Sequence, residues 1–252
     1  YAGRFKCKGV AYWADSQAAA GSVCSHRLFL ATADKRLIAM DARDGKRCAG
    51  FGVQGQVDVD VLLRSLVPAD GTQLTQLVSP PTVVRDVVAV SSFSNKFKSS
   101  SSVNGAIRGF DARTGELRWS FDPLVRDAGT GLTPTPQQVG GANTWVPMSA
   151  DSPRDLLFVP TAGPAPNYWG VHRPGNNDYA NSIIALRGST GEVVWHFQTL
   201  HHDVWDRDVG STPILAEIDR DVRKVPSVIQ LVNTRMVFAF NRETGEPLFP
   251  IE

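Results

Sequence analysis

One short phrase returns four times along the chain and constrains its fold more than any other feature. It reads Ala-Met-Asp-Ala-Arg-Asp-Gly-Lys at 39–46, Gly-Phe-Asp-Ala-Arg-Thr-Gly-Glu-Leu-Arg-Trp at 109–119, Ala-Leu-Arg-Gly-Ser-Thr-Gly-Glu-Val-Val-Trp at 185–195 and Ala-Phe-Asn-Arg-Glu-Thr-Gly-Glu-Pro at 239–247. Each copy joins one run of strand-forming residues to another through a glycine placed where a tight hairpin loop needs positive φ. A hairpin that recurs in one register predicts a repeat architecture built from β-sheets. The turn glycines Gly45, Gly115, Gly191 and Gly245 are 70, 76 and 54 residues apart. That exceeds the roughly 40–50 residues of simple propeller blades, so blades carrying insertions are expected.

The rest of the sequence sets outer bounds. With 252 residues, 42% hydrophobic and 20% charged, the chain has the composition of a globular protein with a substantial core. A net charge of +1 without a block of basic residues argues against a nucleic-acid partner. No apolar run reaches the 18 residues of a membrane span. The start, Tyr1-Ala2-Gly3-Arg4-Phe5-Lys6, has neither methionine nor a signal-type apolar stretch and reads as the interior of a longer chain. Helical periodicity is almost absent, and no internal domain boundary stands out over residues 1–252.

Cys24 and Cys48 flank two expected strands, Arg27 to Thr32 and Arg36 to Asp41, whose antiparallel pairing would bring the thiols within bridging reach. A bridge and a pair of buried free thiols both fit that placement. A bridge would imply an oxidising compartment.

The densest polar cluster is His201-His202-Asp203-Val204-Trp205-Asp206-Arg207-Asp208, directly after the strand Val193 to Thr199. Adjacent side chains on an extended segment point to opposite faces, so His201 and His202 are not read as joint metal ligands. The aspartates carry two readings. A carboxylate beside aromatic surface is a candidate general base, and the same residues suit turn capping or pairing with Arg207. Trp145 and Trp169, each flanked by turn formers, either floor a pocket for a flat ligand or pack into the core. Lys96 and Lys98 interrupt a serine-rich loop.

In order and spacing, several phrases resemble the quinoprotein dehydrogenases that use pyrroloquinoline quinone (PQQ), particularly the membrane-bound glucose and quinate/shikimate branch. They are Cys7-Lys8-Gly9-Val10-Ala11-Tyr12-Trp13, Ser79-Pro80-Pro81, Ile107 to Asp111, Trp119 to Pro123, Trp145-Val146-Pro147 and His201 to Asp206. The resemblance implies an all-β fold: a β-propeller of eight blades, of which this chain would supply about four, roughly half the ring. Missing blades, or another copy of the chain, would complete it. It also implies PQQ in a central funnel, a Ca²⁺ or Mg²⁺ ion polarising the quinone, an alcohol, sugar or polyol substrate, and a membrane quinone as electron acceptor at the periplasmic face of the inner membrane.

Carried over residue by residue, Asp206 falls on the family's catalytic carboxylate and Trp145 on the indole that stacks beneath PQQ. Lys8 and Asn233 fall on cofactor-contacting positions, where they replace an arginine and a Lys or Arg. Asn95-Lys96 stands where sugar-oxidising relatives carry an acidic and an amide residue of the metal site, and Gly163 to Pro166 brings no side-chain oxygen where they carry Asn or Thr. No residue of this chain is therefore named as a metal ligand, and the ammonium of Lys96 is expected near the PQQ carboxylates or quinone oxygens instead. Trp13 replaces the histidine of glucose-oxidising relatives, which leaves the substrate open. A non-catalytic propeller that presents loops to a protein partner is the alternative, favoured by the departures at the metal positions.

Overall fold

The computed structural model describes residues 9–59, 77–92, 105–124, 140–171, 173–220 and 223–251. They form a succession of antiparallel sheets. The first holds β1 (Ala11–Ala14), β2 (His26–Ala31), β3 (Arg36–Asp41) and β4 (Gln56–Asp58), paired in chain order. The second repeats the pattern with β5 (Thr82–Val84), β6 (Val87–Ser91), β7 (Ile107–Asp111) and β8 (Leu117–Phe121). After β9 (Gly140–Gly141) comes the third, with β10 (Ser149–Asp151), β11 (Leu156–Pro160), β13 (Ser182–Arg187) and β14 (Val193–Gln198); β12 (Pro164–Ala165) leaves it to pair with β9. The fourth has β15 (Ile214–Arg220), β16 (Arg223–Leu231) and β17 (Val237–Asn241).

The first strands of successive sheets touch: β1 meets β5, β5 meets β10 and β10 meets β15. Between each two sheets lies a separate apolar core. Trp13, Phe29 and Phe51 pack with Val88 and Phe110; Ile107 and Trp119 with Leu157 and Ile184; Phe158 and Trp195 with Phe238 and Phe240. Middle strands are covered on both faces, as the unbroken burial of β6 and β11 shows. Among the described residues, Tyr12 on the first sheet and Ile214 and Val237 on the fourth are exposed, so neither end sheet covers the other. Sheets stacked face to face around their first strands, without closure, are a partial β-propeller.

The hairpin expectation holds in detail. Gly45, Gly115, Gly191 and Gly245 have φ of 72°, 79°, 76° and 75°. The residue opening the turn supplies an acceptor for the amides that follow: Asp111 Oδ1 takes the Arg113 and Thr114 N–H at 2.7 and 2.8 Å, and Asn241 Oδ1 takes that of Glu243 at 2.9 Å. The third copy has arginine at this position, and Asp155 of the neighbouring hairpin substitutes by accepting Ser189 N at 3.0 Å. The tryptophans closing two copies dock on the next sheet's turn. Trp119 donates its indole N–H to Gly188 O at 2.9 Å and Trp195 donates to Arg242 O at 3.0 Å.

β2 and β3 pair antiparallel, and Cys24 and Cys48 are bridged across a Cα separation of 5.7 Å. Of the alternatives open in the sequence, the disulfide is the one present. β4 ends at Asp58, and residues 60–76 lie outside the described residues.

Candidate cofactor and catalytic site

The site grows from the edge where the second and third sheets meet. β9 and β12 pair Gly141 with Pro164 and Gly140 with Ala165. This ladder continues as Ala142 N donates to Gly163 O and Ala162 N to Asn143 O, both at 3.0 Å. Thr144 is then held from both sides, its N–H by Ser91 Oγ at 3.1 Å and its hydroxyl by Pro160 O at 2.8 Å. Trp145, next in the chain and partly buried, therefore leaves a rigid stem rather than a free loop.

The segment after β14 brings the second half. Asp203 is buried and accepts three N–H groups at 2.8 Å: Trp205 N on Oδ1, and Arg207 N and Asn181 Nδ2 on Oδ2. Asn181 also donates to Arg207 O at 2.9 Å. These bonds close a tight turn around Asp206, whose φ of 58° lies in the left-handed region that aspartate tolerates better than most residues. Asp206 is only partly buried at the crest of that turn.

Asp208, two residues on, closes the structure. Its Oδ2 accepts the Trp145 indole N–H at 2.9 Å, its Oδ1 accepts Gly163 N at 2.8 Å, and its carbonyl oxygen accepts Asn233 N at 3.3 Å. Trp145 and the backbone of Asn233 are thus joined through one residue, with Asp206 on the adjoining turn. Lys8 and Lys96, the other expected cofactor residues, lie outside the described residues.

The three aspartates of one cluster have separate tasks. Asp203 takes the turn-capping reading, Asp208 buttresses an aromatic ring, and Asp206 is presented by the turn between them. The histidines part company: His201 is exposed, while His202 hydrogen-bonds through Nδ1 to Gly175 O at 2.8 Å and packs on Gly170. Trp169 and Trp205 are 59% and 72% exposed, so neither packs into a core.

Residues that carried no sequence signal hold the site together. Arg173 is fully buried and its guanidinium donates to Pro166 O, Asn167 O, Asn177 Oδ1 and Asp203 O, sewing the 166–177 loop to the turn below Asp206. Burial pulls this guanidinium below the usual arginine range, and the Asp203 charge opposes that shift. Asn143 is fully buried with neither side-chain Oδ1 nor Nδ2 bonded, and Asn181 Oδ1 is likewise unmatched.

An unmatched buried amide is costly, and it fits a site that a polar ligand completes. Asn143 stands two residues from Trp145, so a flat molecule bearing carboxylates and carbonyls, such as PQQ, suits the described residues. Asn95 and Lys96, which stand at the metal positions of the resemblance, lie outside the described residues. Among the described residues no three His, Cys, Asp or Glu side chains converge to hold a divalent cation. At Gly163 a Cβ would lie 3.0 Å from Asp203 Oδ2, a tight contact to which the carboxylate would have to yield by a few tenths of an ångström.

The partial propeller carries Trp145 on a hydrogen-bonded stem, tied through Asp208 to the turn that holds Asp206. The chain belongs to the family described as PQQ: glucose/ethanol/alcohol dehydrogenase, beta-propeller domain, which matches residues 1–252. Among curated relatives it is 36% identical to the quinoprotein glucose dehydrogenase of Escherichia coli (strain K12), over 97% of this chain and 31% of that protein. It is 31% identical to the quinate/shikimate dehydrogenase (quinone) of Acinetobacter baylyi, over 96% of this chain and 32% of that protein. The europium-containing methanol dehydrogenase shares the fold, with a TM-score of 0.73 at 22% identity over 96% of this chain and 41% of that structure. The chain therefore spans about a third of the length of these curated relatives.

Proposed function

We propose that this chain is part of a PQQ-dependent dehydrogenase that oxidises an alcohol, sugar or polyol. The observation that carries the reading is the tie from Trp145 through Asp208 to the turn that presents Asp206. When bound, PQQ supplies the acceptor for the hydride that leaves the carbinol carbon. The chain's own residues do the rest. The Trp145 indole is the platform on which the planar ring system rests, and Asn143 offers a buried donor and acceptor to its polar edge. Asp206 accepts the hydroxyl proton, and the turn capped by Asp203 holds the backbone that carries it. Lys8, Lys96 and Asn233 line the cofactor site in this reading, with the Lys96 ammonium supplying positive charge. No step is routed through a metal.

The four sheets act in this proposal as one unit of a larger ring, completed by further blades or another copy. Passage of electrons to a membrane quinone, and a location on the periplasmic face of the inner membrane, follow from the same reading.

The test is titration of the purified chain with PQQ, followed by reduction of an artificial dye with glycerol, glucose and quinate as donors. Trp145→Ala is expected to weaken PQQ binding, while Asp206→Asn leaves binding in place and lowers dye reduction by about a hundredfold or more. PQQ that fails to bind, or Asp206→Asn that reduces dye at the wild-type rate, overturns the proposal.

A further inference from the structure

Asp208 is the residue on which the site converges. It is 6% exposed, and each of its carboxylate oxygens is aimed at a donor on a different segment. Oδ2 takes the Trp145 indole N–H from the stem leading into β10, and Oδ1 takes Gly163 N beside β12. Without the first bond the indole keeps its backbone stem but loses a contact that restrains rotation about its own side-chain torsions. Without the second, the strip at 162–165 loses an anchor to the turn.

We propose that Asp208 is a positioning residue for the aromatic platform: through the Trp145 indole N–H it fixes the plane of the ring on which the cofactor rests, and its anionic charge enriches that ring in electron density. A carboxylate accepting from an indole N–H pushes electron density into the π-system, and an electron-rich face is the better partner for an electron-poor quinone. Asp208 touches neither substrate nor cofactor in this scheme and acts through Trp145. The inference rests on the PQQ reading above and adds how the platform is held and tuned.

The test is a double-mutant cycle on PQQ affinity with Asp208→Asn, Asp208→Ala and Trp145→Phe, alone and combined. Phenylalanine keeps an aromatic face without the N–H. The expected result is a PQQ Kd about tenfold higher for Asp208→Ala in the wild-type background and nearly unchanged when the same substitution is made in Trp145→Phe. Asp208→Asn keeps one acceptor for two donors and is expected between these values. In the protein without PQQ, the ultraviolet resonance Raman band that reports indole N–H hydrogen bonding is expected to shift in Asp208→Ala.

Asp208→Asn provides the reading if Asp208→Ala fails to fold, with far-ultraviolet circular dichroism as the check. A penalty of equal size in both backgrounds means that Asp208 acts through Gly163 or general structure, and overturns the inference while leaving the cofactor reading intact. Wild-type protein that does not bind PQQ overturns both.

Discussion

Trp119 of the second sheet lies on Gly191 of the third so closely that a Cβ at 191 would come within 2.7 Å of its ring carbons, while its indole N–H reaches Gly188 O at 2.9 Å. Gly191 is thereby bound twice, by its φ of 76° and by the neighbouring sheet. Gly191→Ala is expected to destabilise the fold by about 2 kcal/mol, combining left-handed strain with displacement of the ring. Gly45→Ala, at a φ of 72° with no neighbour within 4 Å of the added carbon, is the control. Urea midpoints for the two variants, at unchanged m-value, measure the difference; equal midpoints would show that the tryptophan does not press on the turn.

The same contact shows what the sequence could and could not convey. The turns were legible because their chemistry is local: an acceptor at the opening position and a glycine at positive φ lie within one phrase. Why two phrases end in tryptophan was not, because Trp119 and Trp195 find their partners 69 and 47 residues away. The disulfide stayed open for a related reason. Strand pairing brings the thiols near, and only the geometry of β2 and β3 decides that they meet. At the site, Asp206 and Trp145 could be matched to a motif, whereas the bond from Trp145 to Asp208 spans 63 positions and Arg173 sits in an unremarkable loop.

The Cys24–Cys48 bridge closes a loop over a sequence separation of 24. Constraining the unfolded chain over such a loop stabilises the folded state by about 3 kcal/mol. The double substitution Cys24→Ser with Cys48→Ser is expected to lower stability by that amount. Dithiothreitol is expected to do the same to the wild type and to have no effect on the double variant. Equal denaturation curves for wild type and double variant would show that the bridge does not contribute.

Asp151 of the third sheet meets Arg242 of the fourth at 2.7 Å, and both are buried. Burial by itself raises the Asp151 carboxyl, but the Arg242 guanidinium and the Arg154 backbone N–H outweigh it and hold the group below its ordinary value. A carboxyl depressed in the folded state contributes stability that is complete above its unfolded value, about 3.9, and disappears as pH falls through the lower folded value. Stability is therefore expected to decline below about pH 4, and more shallowly in Asp151→Asn. At neutral pH that variant leaves Arg242 without its buried partner, a loss of about 3 kcal/mol. Denaturation curves at pH 7 and pH 3 for both proteins check the sign: a larger acid effect in Asp151→Asn than in wild type would contradict it.

Asp203 offers a test of how the proposed base is presented that needs no cofactor. Its carboxylate accepts the amides of Trp205 and Arg207 and the side chain of Asn181, each at 2.8 Å, so the turn around Asp206 is closed by one side chain from within and one from the neighbouring segment. Removing the carboxylate frees two backbone N–H groups on either side of Asp206, while Trp145 keeps its own tie to Asp208. Each lost bond to a charged acceptor is worth about 1.5 kcal/mol or more, which corresponds to at least a tenfold change in local opening. In Asp203→Ala, hydrogen exchange at Trp205 and Arg207 is expected to accelerate by about tenfold or more, with the interior of β13 unaffected. Asn181→Ala removes the outer donor's bonds to Asp203 Oδ2 and Arg207 O but leaves those two amides bonded to Asp203, and is expected to speed their exchange less. Exchange that rises equally across β13 in both variants would mean that the residue supports the third sheet as a whole, and that the turn below Asp206 owes its shape to something other than this carboxylate.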